Sequence, residues 1–206
     1  MNNDTDLTVI IGAGALGAMY AQKIHAAGLP VAFLADGERA ERLRRNGIVV
    51  NGDALSVAVV EWGDRITPSR VIVALKDLQL PQVLPRLPEV CGEDTTVMSV
   101  MNGIDSEGQL ADALGESFHP EDTGRVLHCV VAGMDAVRDG HEVRYSRLGK
   151  VVFGRRRNRS ATPDPRVTEM GRFLDAAGIP AETPEDMERA IWNKFMLNVG
   201  INQWSA

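Results

Sequence analysis

The stretch that most constrains this chain is Gly12-Ala13-Gly14-Ala15-Leu16-Gly17, because of what flanks it. Before it, Leu7 to Ile11 form a continuous apolar run, the mark of a strand buried on both faces in a parallel sheet. After it, a helical pattern runs from Ala15 to Ala27 and closes at Gly28, and Val31 to Ala35 repeats the buried-strand signal. Strand, glycine turn, helix and strand together make a β-α-β unit of ordinary size.

A bare G-x-G-x-x-G is a weak pattern, but between a strand and a helix it gains a physical meaning. The first glycine permits the tight turn, the second lets a pyrophosphate approach the backbone, and the third allows close helix-strand packing. The free N–H groups and positive dipole end of the helix then face the phosphates. The spacing therefore predicts a dinucleotide cradle built from Gly12, Ala13, Gly14, Ala15, Leu16 and Gly17. Asp36, just past the second strand, stands where an acid accepts hydrogen bonds from the adenosine ribose, which leans toward NAD. Asp36 is equally placed to cap the next helix, and Arg39 and Arg42 lie close enough in sequence to offset its charge.

The alternation continues. A charged helix from Gly37 to Asn46 is capped by Gly47. Strands at Ile48 to Val50 and Leu55 to Val60 flank the hairpin signal Asn51-Gly52-Asp53. Val71 to Leu75 and Thr95 to Met101 are further buried strands, with a weaker, proline-bearing helix at Leu78 to Leu87 between them. The expected fold is α/β: a Rossmann-like, doubly wound, mostly parallel sheet. From Val126 the pattern changes to a strand, Val126 to Val131, and a hairpin, Glu142 to Ser146 with Lys150 to Phe153. Ser160 to Pro165 read as loop, and Val167 to Ala177 as a helix capped by Gly178. Thr183-Pro184-Glu185-Asp186 predicts a helix start, and that helix runs to Trp204. The division expected is a dinucleotide-binding domain over residues 1–180 and, over 181–206, the first helix of an all-α domain.

Composition excludes several classes. With 44% hydrophobic and 24% charged residues, the chain is an ordinary globular one. A net charge of -6 and the absence of a basic patch argue against nucleic acid. The short run Arg155-Arg156-Arg157-Asn158-Arg159 reads as a solvated loop. Cys91 and Cys129 stand alone, with no metal spacing, and read as reduced thiols. The polar N-terminus lacks the parts of a signal peptide, and no apolar run spans a bilayer, so the expected location is cytoplasmic, away from membranes.

Charged and amide side chains fall at informative places. Lys76 and Asn102 end two predicted strands, where parallel sheets bind ligands. Lys194, Asn198 and Asn202, spaced by four, share one face of the last helix. Met187, Ile191, Phe195, Val199 and Trp204 give that helix an apolar side, which suggests a homodimer.

The segments Ile11 to Gly17, Val73 to Gln79, Met101 to Asp105, Gly133 to Gly154 and Trp192 to Asn202 resemble the ketopantoate reductase family, in order and over nearly the whole chain. The W-x-K-x-x-x-N pattern at Trp192, Lys194 and Asn198 is the most specific of them. The resemblance implies reduction of a small 2-keto acid, 2-dehydropantoate to pantoate, with NADPH. It makes Lys194 the general acid, Asn198, Asn202 and Asn102 substrate ligands, and Lys76 and Asn102 cofactor ligands. The family default is NADP, often with an arginine near the position of Asp36, whereas the acid here leans toward NAD. Family chains continue as a helical domain that supplies a serine and a glutamate to the substrate site, so this chain is expected to be truncated and to bind cofactor with uncertain turnover. The alternatives are another NAD(P)-dependent hydroxy-acid or polyol-phosphate dehydrogenase and a non-catalytic dinucleotide-binding module.

Overall fold

In the computed structural model of the chain, which describes residues 6–117, 124–158 and 163–204 (backbone only at 199 and 201–204), two sheets divide the strands. The elements in chain order are β1 (Thr8–Ile11), α1 (Ala15–Ala26), β2 (Val31–Leu34), α2 (Gly37–Asn46), β3 (Ile48–Val50), β4 (Asp53–Leu55), β5 (Ala58–Val60) and β6 (Arg70–Val73). There follow α3 (Leu80–Val83), β7 (Thr96–Ser99), α4 (Ser106–Ala113), β8 (Val126–Ala132), β9 (Val137–Asp139), β10 (Glu142–Arg144), β11 (Lys150–Gly154), α5 (Pro165–Ala176), β12 (Ala181–Glu182) and α6 (Met187–Trp204).

The large sheet has the order β12-β11-β8-β7-β6-β1-β2-β5. From β5 to β8 every neighbouring pair is parallel, while β11 runs antiparallel to β8. The parallel part has the doubly wound order, in which the strand sequence reverses between β1 and β6 and opens a crevice at their carboxyl ends. The fold is therefore α/β and Rossmann-like, as the alternating signals predict.

Strands β1, β2, β6 and β7 are buried at every position because both faces are covered. Side chains alternate across the sheet. Ile10, Ile72 and Met98 join a core with α1 residues Met19 and Ile24 and α5 residues Met170 and Leu174. Val9, Ile11, Val71 and Val97 join a second core with Leu80, Leu87 and Leu110 on the opposite face. Each such side chain stabilises the fold by roughly 1.5–3 kcal/mol through burial alone.

The structure corrects several boundaries. The run predicted as one strand from Leu55 to Val60 is two: β4 pairs with β3, and β5 forms the edge of the large sheet beside β2. Asn51 and Gly52 both take positive φ, at 51° and 91°, as the tight hairpin turn requires. The predicted hairpin of Glu142 to Ser146 with Lys150 to Phe153 does not form. Instead β10 pairs with β9 in a hairpin and with β3 in parallel, while β11 returns to the large sheet. The small sheet is thus β4-β3-β10-β9. The Leu78 to Leu87 segment is broken into one α-turn between two 3-10 turns, consistent with its prolines.

The basic run is a loop whose Arg157 is exposed, but Arg155 and Arg156 are partly buried and all three are ion-paired; Arg159 lies outside the described residues. Arg155, with only 12% of its side chain exposed, pairs with Asp164 at 3.0 Å and donates to the Val126 carbonyl at 3.1 Å. Arg156 pairs with Glu188 at 2.6 Å, and Arg157 with Asp186. The Arg156 and Arg157 contacts dock the start of α6. That helix begins at Met187, not after Thr183, because Asp186 supplies the cap, accepting from the Arg189 N–H at 2.9 Å. Pro184 is held outside the helix, its carbonyl accepting from Asn158 at 2.7 Å.

Arg70, 2% exposed at the start of β6, carries a buried charge that the sequence reading did not single out. Its guanidinium pairs with Asp6 and Glu169 and lies 4.1 Å from the Phe173 ring centre. Among the described residues no helix is long and apolar enough to cross a membrane, and no cluster of three metal-ligating side chains occurs.

Candidate functional site

The crevice lies where the topology puts it. A cleft of about 360 Å³ opens over the carboxyl ends of β1, β6 and β7, lined by Gly12 to Leu16, by Ala74, Leu75 and Lys76, and by Val100, Met101 and Asn102. The glycine turn is built by close approach. Gly12 has φ 112°, and a Cβ there would sit 2.4 Å from the Ala74 carbonyl oxygen. A Cβ on Gly17 would lie 1.9 Å from the Gly12 carbonyl oxygen, so α1 can rest on the turn only with glycine there. At Gly14 the nearest atom to such a Cβ is 3.9 Å away, which leaves open ground beside the backbone. No side chain caps α1 and no acid occupies its first turn, so its N-terminal N–H groups and positive dipole end are left for an anion.

Polar groups mark the two ends of the cleft. Lys76 and Asn102 are exposed at the β6 and β7 end. Arg39 and Arg42 of α2 and Arg138 of β9 line the other. No ion pair engages these three arginines among the described residues. Arg138 donates to the Gly140 carbonyl at 2.8 Å, and partial burial together with the neighbouring Arg42 and Arg39 charges holds its guanidinium below the usual range. Nothing in the Val137-Arg138-Asp139 sequence marks it for this place. The small sheet, formed by strands distant in the chain, brings it there.

Asp36 stands at the cap position of α2, yet its side chain makes no cap hydrogen bond. It pairs with Arg86 at 3.1 Å, and Arg86 in turn lies over the Trp62 ring; Asp36 does not line the cleft. Lys194 and Asn198 are half-buried on α6, which packs against β8 and β11, and they too lie outside the cleft lining. The side chain of Asn202 lies outside the described residues. Trp192, Met196 and Leu197 are exposed on α6, and the Trp192 and Phe195 rings meet edge to face at 5.7 Å. Neither cysteine is poised as a nucleophile: burial pushes the Cys91 thiol up to about 12 and that of Cys129 well above its ordinary value.

A doubly wound sheet with a glycine cradle over its switch point defines the class of Rossmann-like proteins with a dinucleotide-type cleft. The model of the family described as ketopantoate reductase PanE/ApbA matches residues 8–158, and the chain belongs to that family. A 2-dehydropantoate 2-reductase of Archaeoglobus fulgidus is 29% identical over 198 residues, covering 96% of this chain and 62% of the relative. One from Nostoc sp. is 27% identical, covering 94% and 60%. The crystal structure of 2-dehydropantoate 2-reductase from Geobacter metallireducens superposes with a TM-score of 0.77 at 26% identity, covering 94% of this chain and 62% of that one. A D-mandelate dehydrogenase in ternary complex with NADH and anilino(oxo)acetate shares the fold, with a TM-score of 0.72 at 19% identity and coverage of 91% and 60%. The chain thus spans about three fifths of the length of the curated relatives it matches.

Proposed function

We propose that this chain is the cofactor-binding part of an NADP(H)-dependent reductase that converts a 2-keto acid, 2-dehydropantoate, to its 2-hydroxy acid. The observation that carries the reading is the cleft itself: a glycine cradle in the middle and, at one end, three arginines with no ion pair among the described residues. Dinucleotide-binding cradles of this kind place the pyrophosphate on the turn after β1 and the adenosine ribose toward the end of β2. That puts the adenosine side at α2, within reach of Arg39, Arg42 and Arg138. Three clustered guanidiniums suit a phosphate dianion better than a bare ribose, and Asp36 is drawn away to Arg86. The sequence-level lean of Asp36 toward NAD is thereby outweighed.

Lys76 and Asn102, at the β6 and β7 end of the cleft, would hold the reactive-ring end of the dinucleotide. Bound NADPH supplies the hydride. Lys194 donates a proton to the substrate carbonyl oxygen, so that oxygen becomes a hydroxyl and the amine regains its proton from solvent. Before the transfer its ammonium stabilises the developing negative charge. Asn198 and Asn202 hold the substrate, and Asn102 orients ring and substrate together. Helix α6 opens the helical part that completes the substrate site. The names of the reductase relatives support the reaction class.

Titration of the chain with NADPH and NADH tests the cofactor assignment. NADPH should bind tighter, and Arg39→Ala or Arg138→Ala should weaken NADPH by roughly tenfold or more while changing NADH little, since a charge-assisted phosphate contact contributes about 1.5–3 kcal/mol. Equal affinity of the unaltered chain for both would remove the phosphate reading. In a chain with turnover, Lys194→Ala should lower kcat with little change in cofactor affinity; near-normal kcat would reject Lys194 as the acid.

A further inference from the structure

The turn that presents Asn102 is anchored from below by a carboxylate with no part in the reaction as written. Glu107, second residue of α4, is 5% exposed. Its Oε2 accepts from the Ser106 hydroxyl at 2.9 Å, and its Oε1 from the Cys129 backbone N–H on β8 at 3.2 Å. Ser106 and Ser99 hydroxyls meet at 2.8 Å, and Ser99 Oγ accepts from the Met101 N–H at 3.4 Å. Proton direction follows from the chain of partners. With Ser106 donating to the carboxylate, its oxygen must accept from Ser99, whose oxygen in turn accepts from Met101, the residue before Asn102. The carboxylate is the sink of a one-way relay of hydrogen bonds, each group giving its single proton onward.

Ser99 and Ser106 are themselves buried, and they close the two ends of the turn, one at the end of β7 and the other at the start of α4. A buried carboxylate is costly to keep unless its acceptors are filled, so a position of this kind demands a reason. Burial pushes the Glu107 carboxyl up from its ordinary value, and the bonds from Ser106 and Cys129 pull it back toward ionisation.

We infer that Glu107 is a positioning residue for Asn102: through Ser106 and Ser99 it sets the turn that places the Asn102 amide at the reactive-ring end of the cleft. The inference rests on the dinucleotide reading above and assigns Glu107 no contact with cofactor or substrate.

The test compares two ligands on the same chain: NADPH, which reaches Asn102, and adenosine 2′,5′-bisphosphate, which ends at the glycine turn. Glu107→Gln leaves one acceptor oxygen for two donors, and Ser106→Ala cuts the relay without altering the carboxylate, so either variant suffices if the other does not fold. Each should weaken NADPH by roughly three- to tenfold, the worth of one misplaced neutral hydrogen bond, and leave the bisphosphate unchanged. Each should also add nothing to Asn102→Ala, since the effect passes through that side chain. Equal losses for both ligands, wild-type NADPH affinity, or additivity with Asn102→Ala would overturn the positioning role. If the unaltered chain binds neither ligand, the dinucleotide reading itself fails and takes this inference with it.

Discussion

Consider Gly14→Ala beside Gly17→Ala, two additions of one methyl group three residues apart. Gly14 has φ -76°, which any L-residue adopts, and the nearest atom to its added Cβ would be 3.9 Å away. The fold should accept it, with a stability change between nil and a gain of about 1 kcal/mol from the stiffer unfolded chain. Yet the methyl fills the ground where, on the proposed reading, a pyrophosphate would meet the backbone. Losing even one charge-assisted N–H contact there costs about 1.5–3 kcal/mol, so NADPH affinity should fall by roughly tenfold to a hundredfold. At Gly17 the added Cβ would lie 1.9 Å from the Gly12 carbonyl oxygen. Helix α1 would have to retreat from the turn by roughly 1 Å or more, an overpacking cost of about 2–3 kcal/mol. Urea unfolding followed by tryptophan fluorescence reads the stability, and NADPH fluorescence titration reads the affinity. An affinity for Gly14→Ala within twofold of the unaltered chain would refute the cradle, and an unchanged urea midpoint for Gly17→Ala would refute the packing argument.

Further outcomes follow from the charges. Arg70→Met should cost less than about 1.5 kcal/mol, because it keeps the stem volume and leaves two carboxylates that are already half exposed, whereas the pair Asp6→Asn with Glu169→Gln should cost about 3–5 kcal/mol by stranding a buried guanidinium; the reverse order in urea midpoints would contradict this. His128 is held at about 4 by burial and by the Arg156 and Arg155 charges. The unfolded chain therefore takes up a proton near pH 6.5 that the folded chain refuses. Stability present above that pH is lost as pH falls toward about 4, by roughly 2–3 kcal/mol between about pH 7 and about pH 4.5. His128→Gln should flatten that decline, and an identical pH slope in both proteins would refute the assignment. Asp186→Ala should destabilise the start of α6 by about 0.5–2 kcal/mol, seen as faster amide exchange at Arg189 and Ala190 with the central strands unchanged; uniform exchange rates across the chain would count against the cap.

What could be read from the sequence was what is local. The β1-α1-β2 unit announces itself by short apolar runs and its glycine turn, and strand β6 by an apolar run that ends at Lys76, and the structure places them at those positions. Helix α4 was missed because Ser106, Glu107, Gln109 and Asp112 give it the look of a loop, and its buried carboxylate has no signature in the order of residues. Strands β9 and β12 are too short to carry a period. The start of α6 was misplaced because Thr183-Pro184 imitates a cap, while Asn158, distant in the chain, claims the Pro184 carbonyl and leaves Asp186 to do the capping. The site divides the same way. The glycine turn, Lys76 and Asn102 meet in the cleft and were visible as strand-end residues, whereas Arg138 reaches it only through the pairing of β10 with β3.

That pairing also dictates an order of events during synthesis. Val49 meets Glu142, and Val50 meets Val143, across about ninety residues of chain, so the edge of β3 must wait until most of the polypeptide has left the ribosome. Until then the hairpin of β3 and β4 offers an unpaired edge to any neighbouring nascent chain. Crowding on polysomes is a condition under which this molecule should go astray.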